Sequence, residues 1–101
     1  MDITEYQETI KNFATYNHDL GAFLVPYNIG AAVGTLQTKI ANIMNTDSTA
    51  ITERDKISLA ISIGDILQQL SYMTSELGLS LEEVIALNIK KNASQQPKRE
   101  F

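Results

Sequence analysis

Cysteine is absent from the chain, which removes disulfide frameworks, thiolate nucleophiles and thiolate metal sites from its chemistry. The single histidine, His18, has no second His or Cys with which to share a metal. It falls in a helix-breaking His18-Asp19-Leu20-Gly21 stretch, where it reads as a surface or capping residue. No run of about 18 apolar residues that could span a bilayer occurs, and no basic segment leads into an apolar one in the secretory manner. The expectation is a soluble, cytoplasmic protein without a membrane partner. Basic residues are also scarce. Eight Lys and Arg stand against twelve Asp and Glu, a net charge of -4, so a broad surface for the phosphate backbone of DNA or RNA is not expected. A few local cations or a helix N-terminus can still hold a small anion. GxSxG, a Ser with His and an acid at useful spacing, and a Gly-rich loop leading into a helix are all missing. With only two prolines, 44% hydrophobic and 20% charged residues, the chain is nevertheless globular in composition. Its 101 residues suit one domain, of a size that buries only about 60–70% of its unfolded surface.

What is present is helical periodicity. Ile63, Ile66, Leu67, Leu70, Met73, Thr74 and Leu77 recur at the three-and-four spacing of one helix face. Thr52 ahead of Glu53 and Asp55 supplies a capping oxygen and negative charge at the start, and Gly78 supplies a stop. Ser80-Leu81-Glu82-Glu83 matches a capping box that opens another helix. Ile3, Tyr6, Gln7, Ile10, Phe13, Ala14 and Tyr16 fit a first helix capped by Asp2 or Thr4. A second helix begins near Pro26, or near Leu20 with a bend at the proline. It carries Ile29, Val33, Leu36 and Ile40 beside an unusually small surface of Gly30, Ala31, Ala32 and Gly34, which is either a packing surface or a ligand wall. The pattern predicts an all-α fold with helices over 3–17, 22–45, 52–77 and 80–92. Residues 45–49 read as a polar connector and 93–101 as a flexible tail after a 1–92 domain. Ile57, Leu59 and Ile61 widen the apolar surface of the third helix beyond one stripe, so some of its neighbours are expected to be other subunits.

Several stretches together resemble the MazG-type nucleotide pyrophosphohydrolases, in their short, phage-like form. They are Thr4-Glu5-Tyr6-Gln7, Ala14 and Tyr16, Asn28 through Leu36, Ile63-Gly64-Asp65-Ile66-Leu67, Glu76 through Val84, and Asn88. The resemblance spans nearly residues 3–91, and its final third is the more specific part. It implies a four-helix, all-α bundle assembled as a homodimer or homotetramer, and Mg²⁺-dependent cleavage of nucleoside triphosphates between the α and β phosphates.

The acids that hold the metal in that family fall here on Ala31, Ala32 and Thr35 of the second helix and on Ser62 and Asp65 of the third. Only Asp65 is a carboxylate. Mg²⁺ wants several oxygen ligands in octahedral geometry, so Asp65 alone is a weak ligand, relevant only if a metal is bound. The resemblance therefore implies a non-catalytic relative that needs no cofactor and binds, or sequesters, a nucleotide or nucleotide-derived signal. A role in phage counter-defence would suit the phage-like form. The candidate ligand contacts are Thr35, Lys39, Ser62, Asp65, Gln69, Asn88 and Lys91. Ser62, Asp65, Gln69 and Tyr72 form a polar strip on the third helix, which lines a pocket or subunit interface or else faces solvent. The plainer alternatives pair Asp65 with Lys39 or Lys56, and make Lys91 a complement to a helix C-terminus. Glu53, Asp55 and Glu76 read as a capped N-terminus and a solvated face. Two other functions stay open: a Mg²⁺-dependent nucleoside triphosphate pyrophosphohydrolase completed by carboxylates of another chain, and a purely structural helical oligomer.

Overall fold

A computed structural model describes residues 1–46 and 50–95. Four α-helices and no strand occur among them: α1 (Ile3–Lys11), α2 (Gly21–Met44), α3 (Glu53–Glu76) and α4 (Leu81–Gln95), with a 3₁₀ turn at His18–Leu20 before α2. The centre is an antiparallel hairpin of α2 and α3, each 24 residues and so about 36 Å long.

Local chemistry sets most boundaries. Asp2 accepts from Glu5 N at 2.8 Å and caps α1. Thr52 Oγ1 accepts from Asp55 N at 3.1 Å while Asp55 Oδ2 accepts from Thr52 N at 2.9 Å, a reciprocal box that opens α3. Ser80 and Glu83 repeat the device for α4. Between those helices Gly78 adopts φ 73°, a left-handed conformation that costs a residue with a Cβ.

Two boundaries differ from the sequence pattern, and between them the start of α2 follows the Leu20 alternative of the two it offered. The first helix stops at Lys11, not near residue 17, because Phe13 N and Ala14 N bond three residues back to Ile10 O and Lys11 O and tighten the chain out of α geometry. Asn17 then accepts from Asp19 N and starts the 3₁₀ turn. Helix α2 begins at Gly21 and runs through Pro26. Pro26 and Ala22, whose carbonyl loses its intrahelical partner, are both exposed residues, so the interruption falls on the solvent side of the helix. Finally, α4 continues to Gln95, so residues 93–95 of the expected tail are helical and the remainder of that tail lies outside the described residues, as do residues 47–49 of the connector.

α1 and α4 sit at the open end of the hairpin, touching each other and α3, whereas α4 makes no contact with α2. Gln7, only 5% exposed, is the fastener. Its Nε2 donates to Ser75 Oγ at 3.0 Å and to Leu79 O at 3.1 Å, and its Oε1 accepts from Leu81 N at 2.8 Å. One carboxamide thus ties α1 to both sides of the α3–α4 turn.

The core is small. Among the described residues Val25, Tyr72 and Leu81 are the buried hydrophobic ones, while α3 buries Ser62, Ser71 and Thr74 beside Tyr72. The stripe that the spacing marks as a core face is half open: Ile63 is 56%, Leu70 43% and Leu77 60% exposed. The radius of gyration is 17.0 Å, against about 13 Å for a compact chain of this length.

Candidate functional site

The α2–α3 seam carries most of the candidate residues, and two contacts define its register. Gly21 lies against the Glu76 carboxylate at the open end. Lys39 Nζ donates to Ser58 O at 3.0 Å nearer the connector. The second contact is eighteen residues further along α2 and eighteen back along α3, five turns in each helix. The same register sets Thr35 level with Ser62, Ala32 level with Asp65 and Asn28 level with Gln69.

Along that line Ser62 is 2% exposed and its Oγ has no hydrogen-bond partner, and neither does the buried Oε1 of Gln69. Buried polar atoms rarely go unpaired; Ser71 Oγ, further along α3, is a third such atom, and neither Ser62 nor Gln69 lines either of the clefts that flank the seam. Asp65 is exposed. It pairs with neither expected lysine, since Lys39 holds Ser58 O and Lys56 holds Glu53 Oε1 at 3.0 Å. Its charge is felt by Tyr6, whose phenol is pushed above its ordinary value by burial first, and then by Tyr72 and Asp65. Thr35 is exposed and its hydroxyl donates to Ala31 O at 3.2 Å.

Asn88 and Lys91 are exposed on α4. Asn92 Nδ2 donates to Asn88 O at 3.0 Å, and Ser94 Oγ donates to Lys91 O at 2.8 Å. Because α4 does not touch α2, one copy of the chain does not bring Asn88 and Lys91 to Thr35 and Lys39. No three His, Cys, Asp or Glu side chains among the described residues could hold one ion. Within a single chain the donor set around Asp65 does not fit Mg²⁺, which would find one carboxylate level with an alanine.

Two clefts flank the seam. The larger, about 470 Å³, lies at the connector end and is lined by Lys39, Asn42, Thr52, Asp55 and Ser58 among others; Lys39 is the only candidate residue in it. The smaller, about 350 Å³, lies at the open end between Tyr16, His18, Tyr72, Ser75 and Glu76, with Lys11 at its edge. Sequence reasoning missed this second cleft. It placed Glu76 on a solvated face, yet Glu76 Oε1 is sealed from water and has no hydrogen-bond partner. The reason is tertiary. α2 starts at Leu20–Gly21 without a side-chain cap, and the Glu76 carboxylate from α3 rests on that end, where the partial positive charge of the helix favours an acid. The spacing of Tyr72 and Glu76, one turn apart on one face, was the available signal.

No family model matches the chain, and no curated protein or solved structure gives a match either.

Proposed function

We propose that the protein is a homo-oligomeric, MazG-like helical scaffold that binds a phosphate-bearing, nucleotide-type ligand without hydrolysing it. The observation that carries the oligomer is the surface. The chain exposes 7818 Å², whereas a compact monomer of 11.2 kDa exposes about 5,700 Å² by the usual size scaling. The excess, on the order of 2,000 Å², is the share that two standard interfaces would cover on one subunit. Its chemistry suits such a contact, with Ile57 at 65%, Ile61 at 59% and Ile63 at 56% exposed on α3, and Phe23 at 79% and Tyr27 at 80% on α2. A symmetric dimer, or a dimer of dimers, in which α2 and α3 pack across a two-fold axis covers these residues.

The ligand reading rests on the unpartnered oxygens of Ser62 and Gln69 and on Lys39, which offers an ammonium in the connector-end cleft. Asp65 is the one carboxylate on this part of the seam, so less negative charge opposes an anion than in a full metal site. Asn88 and Lys91 join the site from the α4 of another copy, since their own α4 stands clear of α2.

Light scattering at micromolar concentration tests the assembly, and a monomer there refutes it. Calorimetry against a nucleotide panel, with and without Mg²⁺, tests the ligand. Binding without metal is expected, weakened by Lys39→Ala, with no pyrophosphate release. Pyrophosphate release that vanishes in Asp65→Ala would instead establish the pyrophosphohydrolase, and a silent panel would leave the structural oligomer. Restoring Ala32→Glu, Thr35→Glu and Ser62→Glu together is expected to raise Mg²⁺ affinity, and a folded variant that gains none would show that the metal-site register is misplaced.

A further inference from the structure

The open-end cleft has a composition that the nucleotide reading does not use. Tyr16 packs its ring 4.6 Å from the His18 ring at 58° and 5.5 Å from the Tyr72 ring at 55°, so three aromatic rings meet at inclined angles around one space. Tyr72 is fixed from behind by Gln68 Nε2, which donates to its hydroxyl at 2.6 Å. Glu76 closes the floor with an oxygen that is sealed from solvent and lacks a hydrogen-bond partner. Lys11, at the edge, is drawn out to Glu8 at 3.1 Å and makes no ion pair with Glu76. The acid also touches the aromatic wall: the Tyr16 phenol is pushed up by burial first, next by the charges of Glu76 and Tyr72, and last by a side-chain hydrogen bond with Glu76, which leaves Oε1 as the oxygen without a partner.

We propose that this cleft binds a small soluble quaternary ammonium cation, held over the rings of Tyr16, His18 and Tyr72 and balanced by the Glu76 carboxylate. Inclined aromatic faces attract a cation through their quadrupoles. Because Glu76 Oε1 is buried against Gly21, that oxygen acts on a ligand through its charge and not through a directional hydrogen bond. A group that carries charge but no N–H donors suits this arrangement better than a primary amine does. The volume of about 350 Å³ is at the small end of ligand pockets and limits the ligand to a compact one. Resting on the N-terminus of α2 explains why an acid is tolerated here, but a helix end supplies only about half a charge. A full cation completes the balance. This inference is independent of the nucleotide reading, because its residues and its probes are different.

The test is an NMR titration of the native protein with choline chloride and, separately, with its neutral isostere 3,3-dimethyl-1-butanol. Saturable binding of choline is expected, with its methyl signal moved upfield by the rings and with an affinity at least about tenfold above that of the isostere. Glu76→Gln, which keeps the shape and removes the charge, is expected to weaken choline about tenfold and leave the isostere unchanged. Phosphatidylcholine vesicles provide the arm for a lipid headgroup, and sedimentation of the protein with them would overturn the small-solute assignment. Equal binding of choline and the isostere, or no saturable choline signal, would overturn the proposal on the native protein alone, whether or not the variant folds.

Discussion

Replacing Gln7 by leucine removes three hydrogen bonds while leaving a side chain of similar volume. Leu81 N, at 2.8 Å from Gln7 Oε1, and Leu79 O, at 3.1 Å from Gln7 Nε2, lose the partner that this buried carboxamide provides. Stranding a buried polar group costs about 1–3 kcal/mol; the bond to Leu81 N is buried but that to Leu79 O only part-buried, so the second is taken at about 1 kcal/mol and the two together at about 2–4 kcal/mol. In a domain of this size each kcal/mol lowers the melting temperature by roughly 4–8 °C. A fall of about 8–32 °C is therefore expected for Gln7→Leu, measured by circular dichroism at fixed protein concentration so that assembly does not contribute. Hydrogen exchange supplies a second readout. α1 is only nine residues long, too short to persist alone in water, so its amides are expected to lose protection before those of the α2–α3 hairpin. A melting temperature within about 2 °C of the native protein would show that the fastener carries no weight in solution.

The other expectations are shorter. Gly21→Ala places a Cβ into the Glu76 carboxylate and 2.8 Å from Tyr16 Cε2, so both side chains must move, which should cost about 1–3 kcal/mol of stability; a melt unchanged by the substitution would mean that the Glu76 carboxylate is not held against the start of α2. Thr52→Ala removes the capping oxygen of α3 and should cost about 1 kcal/mol in chemical denaturation, with an effect near zero counting against the box. Tyr6 and Tyr16 both have phenol values raised above the ordinary 10.0, so the fold favours their protonated forms. The stability this contributes is complete below pH 10.0 and is lost as pH rises through the native values above it. Phenolate absorbance should therefore appear at higher pH in the native protein than in the urea-unfolded chain for these two residues, and coincident titrations in the single-tyrosine variants would refute the burial that causes the shifts.

The legible parts of the chain were those in which a few neighbouring residues settle the backbone. Thr52 with Asp55, Ser80 with Glu83 and the stop at Gly78 are local hydrogen-bond and dihedral problems, and each reads off the sequence. The end of α1 did not, because Phe13 and Tyr16 keep helical spacing after the helix has stopped. Phe13 is 63% exposed, and Tyr16 instead turns onto His18 and Tyr72. Periodicity records which residues are apolar and not which contact orders them. The start of α2 stayed ambiguous for a similar reason. Whether Pro26 ends or only interrupts a helix depends on whether the Ala22 carbonyl faces water, a property of the assembled structure. Of the candidate ligand residues, Ser62, Asp65 and Gln69 share the seam as their spacing implies. Asn88 and Lys91 do not join them within one chain, since helix order alone says nothing about the gap between α4 and α2.

The burial pattern of the hairpin bears on what its small-residue surface is for. α3 turns Ser62, Ser71 and Thr74 inward and leaves Ile57, Ile61 and Ile63 outward, the reverse of the ordering that apolar burial favours in an isolated chain. Glycine tells the same story on α2. At Gly21 the Glu76 carboxylate occupies the space a Cβ would take. Gly30 and Gly34, one turn apart, have open space on that side instead. Each interior glycine costs a helix roughly 0.5–1 kcal/mol relative to alanine, and nothing within one copy offsets that cost. A neighbouring helix backbone passing close over Gly30 and Gly34 would, through contacts that a larger residue forbids. The proposed second copy of the hairpin, packed against the first, would answer both the inverted burial of α3 and the unused glycines of α2. On that proposal the small surface is a packing surface, and the proposed ligand is left to the polar strip of Ser62, Asp65 and Gln69 beside it.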